Sequence, residues 1–162
     1  MTRETLASLI SPSPDTTSTL ARRLAPSLRP GDTLCLEGGL GAGKSHFARA
    51  VIGELTGEAE IPSPTYTIVQ TYPGPVCEIW HADLYRLAGP EEVLELGLSE
   101  AFDTAIAIVE WPDRLDPPPP EALWLTFEPG PEADARRIIA RGPASRWSKT
   151  IARSFDISAA DA

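Results

Sequence analysis

Gly38-Gly39-Leu40-Gly41-Ala42-Gly43-Lys44-Ser45 is the stretch whose reading decides the fold. It matches the phosphate-binding loop pattern G-x4-G-K-[ST]. Small residues let consecutive backbone N–H groups turn inward around phosphate oxygens, where a side chain would block the approach. Lys44 offers a cation to β- and γ-phosphates, and Ser45 a hydroxyl suited to Mg2+. A helix starting at this point aims the positive end of its dipole at the same anion. At average glycine usage, chance gives the pattern in a chain this long on the order of once in two hundred. The flanks fit as well. Thr33 to Glu37 (TLCLE) is an apolar run suited to a buried strand, and Lys44 to Leu55 places Phe47, Val51 and Leu55 on one helical face, with Gly57 as a stop. Nucleotide binding through residues 38–45 follows.

A loop of this kind needs an acidic residue near the metal and the attacked phosphate. The run Ala105 to Val109 (AIAIV) reads as a strand buried on both faces, and it ends in Glu110, the form of a Walker B strand. Trp111 follows and either packs a loop or shapes the nucleotide pocket. In His81-Ala82-Asp83-Leu84-Tyr85-Arg86, strand alternation puts His81, Asp83 and Tyr85 on one face. Asp83 there can orient water or hold magnesium through its hydration shell, or simply close a turn or pair with Arg86. His81 reads as structural rather than catalytic. Ser63-Pro64-Thr65-Tyr66-Thr67 suits a mobile loop that meets the γ-phosphate, and equally a plain turn into a strand.

Further out, residues 15–28 predict a helix capped by Asp15 or Thr16, with Leu20, Leu24 and Leu28 recurring every four positions. Tyr66 to Tyr72 and Val76 to Leu84 predict an antiparallel hairpin about Pro73-Gly74-Pro75. Pro90 to Leu96 is a short helix, and Leu123 to Phe127 with Arg136 to Arg141 a second hairpin. The expected architecture is α/β: one P-loop NTPase-like domain over 1–142, with a mixed parallel and antiparallel sheet flanked by helices. The tail 143–162 shows weak periodicity and is expected to pack loosely. Pro117 to Pro120 reads as a stiff connector inside the domain.

Composition sets the bounds. The chain has 162 residues, 42% hydrophobic and 23% charged, which suits one globular domain. With 14 basic and 23 acidic residues it carries a net charge of −9, a poor balance for gripping nucleic acid alone. The charge is uneven: Asp83 to Glu121 holds ten acidic and two basic side chains, whereas Asp134 to Arg153 holds six basic and one acidic. These are either solvated faces or a partner-docking stretch followed by one that approaches phosphates or RNA. Cys35 and Cys77, 42 positions apart, suit buried thiols in a reducing compartment rather than a disulfide scaffold, and two histidines are too few for a histidine-rich metal site. No apolar run approaches a membrane span and Met1 to Pro14 lacks the form of a secretion signal, so a cytoplasmic location is expected.

Taken in order and spacing, GGLGAGKS, SPTYT, HADLYRL and IVEWPDRL strongly resemble the TsaE family, from about Asp15 to Arg141. These are small bacterial P-loop ATPases needed for threonylcarbamoyladenosine modification of tRNA. The resemblance implies ATP and Mg2+ as cofactors and hydrolysis that is weak alone. It also implies the partners TsaB and TsaD, with tRNA engaged indirectly through them. It places Gly38, Gly39, Leu40, Gly41, Ala42, Gly43, Lys44, Ser45 and His46 around the phosphates, and Ser45 and Glu110 on the metal. Glu110, Asp83 and Thr67 become the catalytic set, with Thr65 beside Thr67 in a switch-like loop. Asp15 and Thr16 fall where the family closes over adenine, and a late arginine, Arg136 or Arg137, reaches the nucleotide. The family usually has Asp at the position of Gly39 and Thr-Thr at Ser45-His46. Serine keeps the hydroxyl, so these departures bear on affinity and turnover more than on metal binding.

Two other functions compete on the residues alone. A small-molecule kinase needs an arginine-bearing lid, and between Lys44 and Glu110 only Arg49 and Arg86 are available. A nucleotide-gated binding module would not need turnover at all.

Overall fold

The computed structural model describes residues 3–62 and 68–156. Seven strands form one mixed sheet in the order β1-β7-β6-β2-β5-β4-β3. They are β1 (Glu4–Ser11), β2 (Thr33–Gly38), β3 (Val69–Pro73), β4 (Glu78–Asp83), β5 (Ile106–Glu110), β6 (Leu123–Pro129) and β7 (Arg136–Gly142). The centre, β6-β2-β5-β4, is parallel; β7 and β1 extend it antiparallel on one side and β3 on the other. Both expected hairpins form, as β3–β4 and β6–β7.

Among the described residues, five α-helices cover the sheet: α1 (Pro14–Leu24), α2 (Lys44–Thr56), α3 (Pro90–Leu94), α4 (Leu98–Thr104) and α5 (Ala144–Ser154). Strand alternation divides the core between the two faces. Leu34, Leu36, Ile106 and Ile108 point to one side and pack with Leu20 and Leu24 of α1, Phe47 and Val51 of α2, and Trp147 of α5. Cys35 and Val109 point to the other, against Val93 of α3 and Leu98 of α4. All five residues of β5 are buried, as its apolar run predicts. Cys35 and Cys77 are unpaired; burial, with the charge of Glu37, pushes the Cys35 thiol well above the ordinary range.

Three features differ from the sequence reading. The cap of α1 is Ser13, whose Oγ accepts from the Thr16 N–H at 3.2 Å, so Asp15 and Thr16 lie in the first turn. Strand β1 was not expected; its partly exposed edge residues show no clean alternation. The stretch 143–162, expected to pack loosely, contains α5 over Ala144–Ser154. Trp147, Ile151 and Phe155 are buried in the larger core, and the indole N–H of Trp147 donates to the Glu121 carbonyl at 2.7 Å. Two turns of apolar anchors outweigh a polar composition. Among the described residues, no helix is long and apolar enough to cross a membrane.

Candidate functional site

The carboxyl edge of the parallel strands carries the site. The glycine loop leaves β2 there and enters α2 through Gly43, whose φ of 109° is a left-handed conformation open to glycine at little cost. Gly38 is required for a second reason: a Cβ on it would meet the Phe127 carbonyl oxygen at 2.6 Å. At Gly39 and Gly41 a Cβ would meet nothing within 4 Å, so this part of the loop faces open space.

Lys44 begins α2 and its side chain folds back over the loop. The ammonium donates to the carbonyls of Gly38 and of Gly39, the latter at 3.1 Å, and stands 3.8 Å from the centre of the Trp111 ring. Burial lowers its pKa, and the carboxylates of Glu110, Asp83 and Asp113 oppose that shift without cancelling it. Trp111 reaches this place through an unusual backbone, φ 60° and ψ 56°, in the left-handed region that costs a bulky residue free energy. That turn carries the indole from the end of β5 over the loop lysine, where the ring face attracts the cation. The ring packs against the smaller core and also lines the cleft beside the loop. Tyr85 packs against it with ring centres 4.9 Å apart.

Glu110 lies between two neighbours set by register, Leu36 on β2 and Asp83 on β4. Only 2% exposed, its carboxylate accepts from the Ser45 hydroxyl at 2.7 Å through Oε1 and from His81 Nε2 at 2.6 Å through Oε2. A carboxylate only accepts, so Nε2 of His81 carries the proton in this pair. Burial opposes ionisation of Glu110. The hydrogen bond and charge of His81, the Ser45 hydroxyl and the Lys44 charge outweigh it, holding the carboxyl below its ordinary value. His81 is fully buried, as a structural histidine would be, yet its one hydrogen-bond partner here is the strand-end acid; Nδ1 has no partner among the described residues.

Lys44, Ser45, His46, Asp83 and Glu110 converge on one cleft of about 450 Å³, a volume within the range of small-ligand sites. Arg49, Tyr85, Arg86 and Trp111 also line it, and none of Arg49, Tyr85 and Arg86 is among the nucleotide-site residues expected from sequence. The signal for the last two was their place beside Asp83 in one motif. Asp83 Oδ1 accepts the Tyr85 N–H at 3.0 Å, so it closes a turn as well as facing the cleft. Asp15 and Thr16 do not line the cleft. Their neighbours Pro14 and Ser18 meet His46 of the cleft, whose Nε2 stands 2.9 Å from the Pro14 carbonyl and 2.7 Å from Ser18 Oγ, tying α2 to the start of α1. Arg136 braces the loop from behind, donating to the carbonyls of Ala42 at 3.2 Å and Gly41 at 3.3 Å. Thr65 and Thr67 lie outside the described residues.

A glycine loop between a buried parallel strand and a helix, with an acid at the end of the neighbouring strand, defines a P-loop NTPase-like protein. The family model described as threonylcarbamoyl adenosine biosynthesis protein TsaE matches residues 11–138, and the chain belongs to the TsaE family. The "tRNA threonylcarbamoyladenosine biosynthesis protein TsaE" of Bacillus subtilis strain 168 is 36% identical over 136 residues, which cover 83% of this chain and 84% of that one. The protein of the same name from Rickettsia conorii is 46% identical over 100 residues, 61% of this chain. That match spans 57% of the Rickettsia protein's own length. The crystal structure of Bacillus subtilis YdiB superposes with a TM-score of 0.78 at 27% identity, covering 98% of this chain and 99% of that one. The family model and both of these sequence relatives carry the name of threonylcarbamoyladenosine biosynthesis proteins.

Proposed function

We propose that the chain is the ATP-hydrolysing component of the bacterial tRNA N6-threonylcarbamoyladenosine machinery, acting in the cytoplasm with TsaB and TsaD and meeting tRNA through that assembly. The hydrogen bond from Ser45 to Glu110 carries the reading. It joins the loop hydroxyl to the strand-end carboxylate at the place where a P-loop protein gathers hard oxygen donors for magnesium.

The residues present fit Mg-ATP. Ser45 Oγ and Glu110 Oε1 form an oxygen donor pair 2.7 Å apart, and the backbone at Gly39 and Gly41 borders open space where phosphates can approach. Ser45 and Glu110 would hold the metal, which when bound neutralises charge on the phosphate oxygens. Lys44 would exchange the carbonyls of Gly38 and Gly39 for phosphate oxygens, and the loop N–H groups would bind the rest. Its position over Trp111 keeps the cation out of water, where its field acts at full strength. Glu110, held ionised by His81, would orient the attacking water and accept its proton, with Asp83 beside it in register.

The test is phosphate release from Mg-ATP, by the chain alone and then with TsaB and TsaD. Slow release that rises with the partners is expected. Glu110→Ala should bind ATP and fail to hydrolyse it; turnover at the normal rate would sink the role given to that acid. Release indifferent to the partners would favour a kinase, to be pursued with small acceptors.

A further inference from the structure

Five of the fourteen lysines and arginines, Arg23, Arg29, Arg146, Lys149 and Arg153, line one cleft between α5 and the carboxyl end of α1 with its following turn. Its volume is about 940 Å³, larger than the P-loop cleft, and no carboxylate side chain lines it. Two of the five are committed to the fold. Arg146 forks onto Asp32, with Nε 3.2 Å from Oδ1, and its guanidinium lies 4.0 Å above the Trp147 ring. Arg23 donates to the carbonyls of Arg153 at 2.8 Å and Asp156 at 2.7 Å, fastening the end of α5 to α1. Arg29, Lys149 and Arg153 are exposed and have no carboxylate partner among the described residues. Ser145 and Ser148 add hydroxyl donors between them, whereas the Ser27 hydroxyl donates to the Leu24 carbonyl at 2.6 Å.

Like charges gathered at one cleft repel, and the carboxylate beside it, Asp32, is taken up by the Arg146 guanidinium and the Arg29 backbone N–H, which leaves the side chains of Arg29, Lys149 and Arg153 without a carboxylate partner among the described residues. The acidic stretch from Asp83 to Glu121 supplies α3 and α4, which cover the opposite face of the sheet. Solvent with a Debye length of about 8 Å at physiological ionic strength screens most of its influence on the cleft. The matched family region ends at residue 138, so α5, which builds this wall, lies beyond it.

We propose that the cleft between α1 and α5 seats the phosphodiester backbone of RNA, with Arg29, Lys149 and Arg153 on phosphate oxygens and the serine hydroxyls between them. Forked guanidinium, point-charge ammonium and hydroxyl donors are the groups that contact nucleic-acid backbones without reading sequence. The choice of RNA over another polyanion rests on the tRNA pathway to which the family belongs. Net acidity excludes a general basic face; it does not exclude a local one built from α5 and the turn after α1.

The experiment is fluorescence anisotropy of a labelled tRNA transcript titrated with the full chain from 50 to 200 mM KCl. Three backbone contacts predict that log K falls with log salt at a slope of about −2 to −3. The double variant Lys149→Glu/Arg153→Glu should bind at least about tenfold more weakly at the lowest salt, with a slope shallower by about 1.5. Arg3→Glu/Arg137→Glu makes the same change in net charge elsewhere: Arg3 lies over Trp124 in the core facing α3 and α4, and Arg137 precedes Ile138, which faces the other way. That variant should stay within about twofold of the parent. No binding at 50 mM KCl, equal weakening in both variants, or displacement of tRNA by polyglutamate at equal charge would each overturn the proposal. Phosphate release from Mg-ATP should be unchanged in Lys149→Glu/Arg153→Glu. A parent chain that releases phosphate but binds no tRNA therefore sinks the cleft alone, and a parent chain that binds tRNA but releases no phosphate sinks the ATPase reading alone.

Discussion

Glu110→Gln isolates what the charge at the centre of the site contributes. The amide keeps the shape and can still accept from His81 and face Ser45, so the substitution removes charge without opening a cavity. Two hydrogen bonds, at 2.6 and 2.7 Å, end on that carboxylate. A bond to a charged group is worth about 1.5–3 kcal/mol against about 0.5–1.5 for a neutral one, so neutralising the acceptor weakens the pair by about 2–3 kcal/mol. Relief from burying a carboxylate that is 2% exposed offsets part of this. The carboxyl is nonetheless held below its ordinary value, so the contacts win. The expected loss at pH 7 is about 1–2 kcal/mol, a fall in Tm of about 2–8 °C for a chain of this size. The sign with pH follows. A depressed carboxylate pKa stabilises the fold above the unfolded value of 4.5, and this is lost as pH falls through the lower folded value. Urea unfolding followed by far-ultraviolet circular dichroism at pH 7, 5, 4 and 3.5 should therefore show parent and variant converging below about pH 4.5. A gap that is constant, or that widens in acid, would refute the argument. A variant more stable than its parent at pH 7 would show that desolvation dominates.

Other substitutions test other joints. Lys44→Ala should abolish ATP binding measured by calorimetry, since no other side chain delivers a cation to the loop in this way. Arg136→Ala removes two bonds to the loop carbonyls and should weaken ATP binding about fivefold, equivalent to about 1 kcal/mol, without loss of turnover at saturation. Trp147→Ala removes a fully buried indole and leaves the Glu121 carbonyl unpaired. Urea unfolding should show a loss of about 3–5 kcal/mol, and a loss under about 1 kcal/mol would return residues 143–162 to the loosely packed tail expected from sequence.

Legibility followed range along the chain. The strand–loop–helix unit around Lys44 is local, so glycine spacing and a single apolar stripe sufficed to read it. The same holds for β5, where five apolar positions ending in an acid leave few alternatives. Strand β1 pairs with β7 across more than a hundred residues, from Glu4 opposite Gly142 to Ser11 opposite Arg136, and nothing within ETLASLIS announces that partner. Helix α5 failed for a related reason: its Arg, Lys and Ser residues read as solvated chain, and the groove that receives Trp147 exists only once the sheet has formed. In the site, Lys44, Ser45 and Glu110 were legible as types, and their partners were not. His81 meets Glu110 because β4 pairs with β5 in one register, with His81 opposite Ile108 and Asp83 opposite Glu110. Trp111 meets Lys44 because a tryptophan adopts a left-handed turn, which no local preference favours.

The two departures from the family pattern in the loop act differently once placed. At Gly39 there is room for a Cβ and no positive φ to forbid one, so glycine there removes a side chain without being needed by the fold. An aspartate there would add a negative charge beside the loop, and glycine leaves that space open. His46 adds a connection. Its ring reaches the Pro14 carbonyl and the Ser18 hydroxyl, joining the first turn of α2 to the first turn of α1. A threonine is too short to span to both. The start of α1, where Asp15 and Thr16 are expected to close over adenine, is thereby tied to the residue that follows Ser45. The histidine thus couples the position of α1 to the first turn of α2, the turn that carries Ser45.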